Sequence, residues 1–144
     1  MRAQSRPGYT APAQQRYIRL TSCPDVLVIQ LTRTALDLYG NEFKVMTDHD
    51  FPEILDLSEY LADPTAQVRY RFSGMVAHHG NEIGAGHYIA GVRGAVEGSG
   101  FRLINDSRKV VSTNNFADIQ QPIWDKKDRF QPYVLYYTKI RGKK

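Results

Sequence analysis

Between Arg69 and Asp106 the chain reads RYRFSGMVAHHGNEIGAGHYIAGVRGAVEGSGFRLIND, three strand-patterned segments divided by two glycine-bearing turns. In the first segment Tyr70, Phe72, Gly74 and Val76 share one face, and Arg69, Arg71, Ser73 and Met75 the other, which is the period of two of a strand. Short Gly/Asn loops between such segments predict an antiparallel meander rather than parallel strands, whose crossovers are long.

Three further segments extend the meander. VLVIQL, Val26–Leu31, is a continuous apolar and β-branched run, too short for a helix, and predicts a strand buried on both faces. FKVMT, Phe43–Thr47, follows the turn signal LYGNE, and PYVLYYTK, Pro132–Lys139, closes the series with aromatic and β-branched residues. The helical candidates are short. DLSEYLADP has Asp56 or Ser58 as a possible N-cap and stops before Pro64, and NFADIQQPIW suits a single turn. The expected fold is mainly β, one antiparallel sheet of about six strands with short helices.

Composition supports a soluble globular chain: 144 residues, 42% hydrophobic and 24% charged, enough to bury roughly 68–70% of the unfolded surface in one domain. No apolar run approaches the ~20 residues of a membrane span. The opening MRAQSRPGYTAPAQQR has no apolar signal core, so residues 1–16 read as a flexible tail, 17–139 as the domain and 140–144 as a basic tail. Much of the net charge of +4 lies at these two ends. A single cysteine, Cys23, allows no internal disulfide and no cysteine zinc cage, which is compatible with a reducing, intracellular setting.

The stretch GNEIGAGHYIAGVR carries the chemistry. A glycine directly before His87 lets the backbone approach something closely and leaves the imidazole beside open space. That suits a catalytic histidine and equally an ordinary hairpin.

Taken together, CPDVLVIQLTR, FPEILDLSEYL, YRFSGMVAHHG, GAGHYIAGVR, FRLINDSRKV and PYVLYYTK resemble, in order and spacing, the C-terminal half of the catalytic domain of the ubiquitin-specific proteases, papain-like ubiquitin carboxyl-terminal hydrolases. The likeness runs from about Tyr17 to Lys139. It implies the β-rich half of an α+β papain-like domain, and cysteine-type hydrolysis of the bond after ubiquitin's C-terminal glycine, without a cofactor. It implies His87 as general base and acid, and Asn105 as the group that orients the imidazole, with Asp106 as the alternative. Alternation lets only one of Asn105 and Asp106 face His87 directly, unless the strand ends or bulges there; register favours Asn105. By the same resemblance Gly84 and Gly86 keep bulk away from a narrow channel for ubiquitin's Gly-Gly tail. Tyr88, also placed at the channel, points away from His87 towards neighbouring strands or the rim, and His78, counted with the channel too, occupies a supporting position near the active site.

The nucleophile is missing from this picture. The family's cysteine box, a helix-opening segment, does not occur here, and SCPDVLVIQL leads into a strand, so Cys23 reads as a structural thiol. The chain is expected to supply the His/Asn side of a two-sided site and to be incomplete or inactive alone, with the missing N-terminal half as a partner. The expected location is the cytoplasm, the nucleus or both. A non-catalytic ubiquitin-binding or scaffold module is the alternative. The basic–aromatic runs RYRF and YVLYYTKIR leave a nucleic-acid binder as a disfavoured third reading. Adjacent His78 and His79 point to opposite strand faces, which argues against a joint metal site.

Overall fold

The structure, a computed structural model, describes residues 17–82, 84–96, 98–106, 109–124 and 128–141. The expected tail over 1–16 lies outside the described residues, as do the last three residues of the expected basic tail 140–144. Its elements are β1 (Val26–Gln30), β2 (Thr34–Leu36), β3 (Glu42–Lys44), β4 (Ile54–Asp56), a single 3-10 turn (Ser58–Tyr60), β5 (Arg69–His79), β6 (His87–Arg93), β7 (Phe101–Asn105), β8 (Lys109–Thr113), α1 (Ala117–Gln120), β9 (Ile123–Trp124), β10 (Asp128–Arg129) and β11 (Gln131–Lys139). The main sheet is antiparallel throughout, in the order β1-β11-β5-β6-β7-β8, with β4 also paired to β5. β2–β3 and β9–β10 are separate two-stranded ladders. Both helical candidates survive only as one short turn each.

The core lies on one face of the sheet. Tyr70, Phe72, Met75 and Ala77 of β5 meet Ile89 of β6, Phe101 and Leu103 of β7, and Leu135 and Tyr137 of β11, with Phe51, Ile119 and Phe130 from the connections. Burial holds the Tyr137 phenol protonated, its pKa pushed up to about 12, and its hydroxyl donates to the Pro52 carbonyl at 2.7 Å.

Three details differ from the sequence expectation, each for a local reason. The alternation in β5 breaks at Ser73. Tyr136 pairs with Gly74 but Tyr137 with Phe72, which leaves Ser73 as the extra residue of a bulge, its hydroxyl donating to the Tyr136 carbonyl at 3.0 Å. Parity therefore flips: Met75, expected with the arginines, is 1% exposed in the core, and Val76 moves to the other face.

The strand at Val26–Gln30, expected to be buried on both faces, is instead an edge. Leu27 and Ile29 pack against the core while Val26 and Val28 are 55% and 54% exposed. A continuous apolar run cannot itself distinguish a central strand from an edge strand with one open face.

The expected strand at 43–47 ends at Lys44. Beyond it, backbone groups pair with Arg33 instead of a ladder. Val45 N–H donates to the Arg33 carbonyl at 2.8 Å, and the Arg33 guanidinium donates to the carbonyls of Val45 and Thr47. Arg33 is 1% exposed, and its Nε also donates to the Pro132 carbonyl at 3.0 Å, so this buried cation ties the β2–β3 hairpin to β11.

Candidate functional site

Two strand ends and a turn build the site. Residues 87, 89 and 91 share a parity, so His87 lies on the face of β6 that buries Ile89, and Asn105 on the face of β7 that buries Phe101 and Leu103. The register Ala90↔Ile104 and Gly91↔Leu103 brings the first residue of β6 and the last of β7 to the same end of the sheet. There His87 Nε2 and Asn105 Oδ1 lie 2.5 Å apart. An amide oxygen only accepts, so Nε2 carries the proton, and the neutral ring keeps its lone pair on Nδ1. The imidazole also stands edge-on to Phe130, with centroids 6.1 Å apart.

β7 ends at Asn105, and Asp106 turns back with φ 49°, in the left-handed region. Its carboxylate comes within 3.9 Å of the same Nε2. Both alternatives thus approach His87: Asn105 in direct contact, Asp106 at longer range and exposed, so that solvent screens its charge.

The bulge in β5 fixes where the two neighbouring histidines go. His79 pairs with His87 across the ladder and shares the core-side parity, its Nδ1 3.1 Å from the Arg129 carbonyl and its ring on Phe130. His78 lies on the opposite face, 3% exposed, with its ring 4.4 Å from Tyr88 and 6.0 Å from Tyr133. Lys44 Nζ is 2.9 Å from His78 Nδ1. Burial first, and the Lys44 charge second, lower the His78 pKa from the ordinary imidazole value. Tyr88 is 52% exposed and on the face opposite His87, as alternation requires.

The two turn glycines play different parts. A β-carbon at Gly84 would meet nothing within 4 Å. One at Gly86 would overlap the His79 carbonyl and the His78 ring, so Gly86 is required by the protein's own packing, whatever passes along the turn. Gly86→Ala is therefore expected to cost about 1–3 kcal/mol in urea unfolding, and Gly84→Ala to stay within about 0.5 kcal/mol. Equal costs would contradict the difference in space.

Cys23 is far from this site. It precedes β1, beside the Tyr70 end of β5, where the Tyr70 hydroxyl donates to the Pro24 carbonyl at 2.6 Å. His79, opposite His87, lies nine residues further along β5, roughly 30 Å at the rise of a strand. A thiol at position 23 cannot reach His87. Among the described residues no three His, Cys, Asp or Glu side chains gather as a metal-ligand set. Sequence reasoning missed Lys44, Tyr133 and Phe130. Nothing in the local pattern sets them apart from ordinary strand or loop residues.

The family model for ubiquitin carboxyl-terminal hydrolase matches residues 10–137. The chain is 30% identical over 149 aligned residues to ubiquitin carboxyl-terminal hydrolase 10 of Mus musculus, covering 95% of this chain and 18% of that protein. It is 28% identical to ubiquitin carboxyl-terminal hydrolase 10-B of Xenopus laevis with the same coverage. The SAGA DUB module of Ubp8, Sgf11, Sus1 and Sgf73 bound to monoubiquitin superposes with a TM-score of 0.71 at 28% identity, over 87% of this chain and 25% of that one. The chain thus spans less than a fifth of the length of these two curated relatives.

Proposed function

From its membership of the ubiquitin carboxyl-terminal hydrolase family, to which the chain belongs, we propose that it forms the histidine-bearing side of a thiol-dependent deubiquitinating site. Its ligand is the C-terminal tail of ubiquitin, and the thiol comes from polypeptide outside these 144 residues. The observation that carries this reading is the 2.5 Å contact of His87 Nε2 with Asn105 Oδ1, which leaves Nδ1 as the available base. Two solved neighbours described as bound to monoubiquitin and to ubiquitin aldehyde support the ligand.

In this reading Nδ1 takes the proton of the thiol, and the thiolate attacks the carbonyl carbon of ubiquitin's terminal glycine. As the C–N bond breaks, the imidazolium returns the proton to the departing amine. Water, deprotonated by the same nitrogen, then cleaves the thioester and restores the thiol. Asn105 fixes the ring and its tautomer, and Asp106 adds a screened negative charge beside the imidazolium. Gly84, Gly86 and the exposed Tyr88 border the path of the tail, and His78, 3% exposed on the face away from His87, supports Gly86 from within. The cytosol and nucleus keep thiols reduced, so we place the reaction there.

Titrating the isotope-labelled chain with ubiquitin tests the ligand. The expected result is shifts confined to Gly84–Tyr88 and their neighbours, lost when the ubiquitin lacks its two terminal glycines. A flat titration at millimolar ubiquitin, or shifts indifferent to the glycines, would defeat the assignment.

A further inference from the structure

Lys44 is a lysine of β3 only 7% exposed, which is rare for a residue type that enters the interior only with partners. No carboxylate among the described residues pairs with it. Its partners are the His78 Nδ1 atom, 2.9 Å from Nζ, and the Gly80 carbonyl. An ammonium only donates, so His78 Nδ1 must accept and the imidazole proton belongs on Nε2. The ring edge carrying Nε2 lies against Gly86, where an added β-carbon would overlap Nε2 and Cε1. Gly80 and Gly86 are themselves in close approach: a β-carbon on Gly80 would lie 3.0 Å from the Gly86 Cα and 2.8 Å from the Ala85 carbonyl. Lys44 therefore holds one end of the turn through the Gly80 carbonyl and the other through the His78 ring. Gly86 is the residue before His87.

Burial, then the Lys44 charge, lower the His78 pKa, which favours the neutral ring. Burial, then the Arg33 charge, lower that of Lys44 and work against its ammonium, so the acceptors at His78 Nδ1 and the Gly80 carbonyl are what hold the charge there. The other rings on His78 are those of Tyr88 and Tyr133. Arg33 in turn fixes the hairpin that presents Lys44, through the carbonyls of Pro132, Val45 and Thr47.

We propose that Lys44 is a positioning residue, whose buried ammonium locks His78 in the Nε2–H tautomer and clamps the Gly80 and Gly86 ends of the turn that delivers His87. The value of that clamp to hydrolysis rests on His87 being the base; the tautomer does not, so the two readings can fail separately.

Long-range 1H–15N spectra of the 144-residue chain at neutral pH test it, with hydrogen exchange of the turn amides and the variant Lys44→Met. The wild type is expected to show His78 with Nε2 protonated and Nδ1 bare, and a nitrogen–nitrogen coupling between Lys44 Nζ and His78 Nδ1. In Lys44→Met the His78 ring should become a mixture of tautomers, and exchange at Gly80 and Gly86 should quicken about tenfold. A wild-type His78 protonated on Nδ1 overturns the proposal even if the variant does not fold. So does a folded Lys44→Met in which either readout is unchanged. A locked wild-type tautomer together with a flat ubiquitin titration would defeat the hydrolase reading and leave the role of Lys44 standing.

Discussion

With the thiol-bearing part of the domain supplied in trans, His87→Ala lowers hydrolysis of a ubiquitin C-terminal fluorogenic amide by about 10^4-fold or more. Members of a coupled catalytic unit are not additive, and removing one costs nearly as much as removing all. His87 holds this rank because it is the one imidazole at the sheet end with a fixed proton on Nε2 and an open Nδ1. His79 opposite it is engaged through Nδ1 with the Arg129 carbonyl, and His78 faces the other side of the sheet. Wild-type turnover by His87→Ala would end the assignment. The same assay separates Asn105 from Asp106. Asn105→Ala frees the ring to adopt the wrong tautomer, a loss of about 10^2 to 10^4. Asn105→Asp keeps an acceptor 2.5 Å from Nε2 and adds charge, so activity should be retained or raised. Asp106→Ala, which removes only an exposed carboxylate at 3.9 Å, should cost far less than Asn105→Ala.

The residues that determine this site differ in how far sequence reveals them. His87 and Asn105 stand out in the sequence only through the family resemblance, because a histidine after a glycine turn reads equally as an ordinary hairpin residue. The period of two adds only a preference for Asn105 over Asp106. Asp106 was legible only as an alternative, because its approach to His87 depends on where β7 stops and on a left-handed residue. The bulge at Ser73 was not legible: an extra residue in a ladder is a property of the pair β5–β11, and the partner strand lies some sixty residues away in sequence. Its consequence is large, since it decides that Met75 is core and that His79, not His78, shares the His87 side. β8 escaped notice because KVVST is five residues at a sheet edge, too short for periodicity to separate from a turn. Lys44 and Arg33 escaped because charged residues in strands and the turns beside them usually face water, and here both bury against carbonyls contributed by distant segments.

Phe72→Ala should have the largest effect on stability of any single substitution in the sheet, about 3–5 kcal/mol. The side chain is 0% exposed, and four rings surround it: Phe116 at 5.2 Å, Phe51 at 5.5 Å, Tyr137 at 5.9 Å and Phe101 at 6.3 Å between centroids. Those rings come from β7, β11 and two connections, so truncation leaves a cavity whose walls are anchored independently and cannot all close in. The backbone of Phe72 is fixed as well: its N–H donates to the Glu53 carbonyl at 2.8 Å, and its carbonyl accepts Arg93 Nε at 2.7 Å. With a urea m-value of roughly 1–3 kcal/mol/M, the midpoint should fall by about 1–5 M, enough to unfold a marginal chain in water. Val28→Ala on β1 gives the contrast, because a side chain already 54% exposed leaves little cavity behind, and its cost should stay near or below about 1 kcal/mol. If the two substitutions moved the midpoint equally, the aromatic cluster on the His87 side of the sheet would not be what holds the strands in register, and the geometry of His87 and Asn105 would need another support.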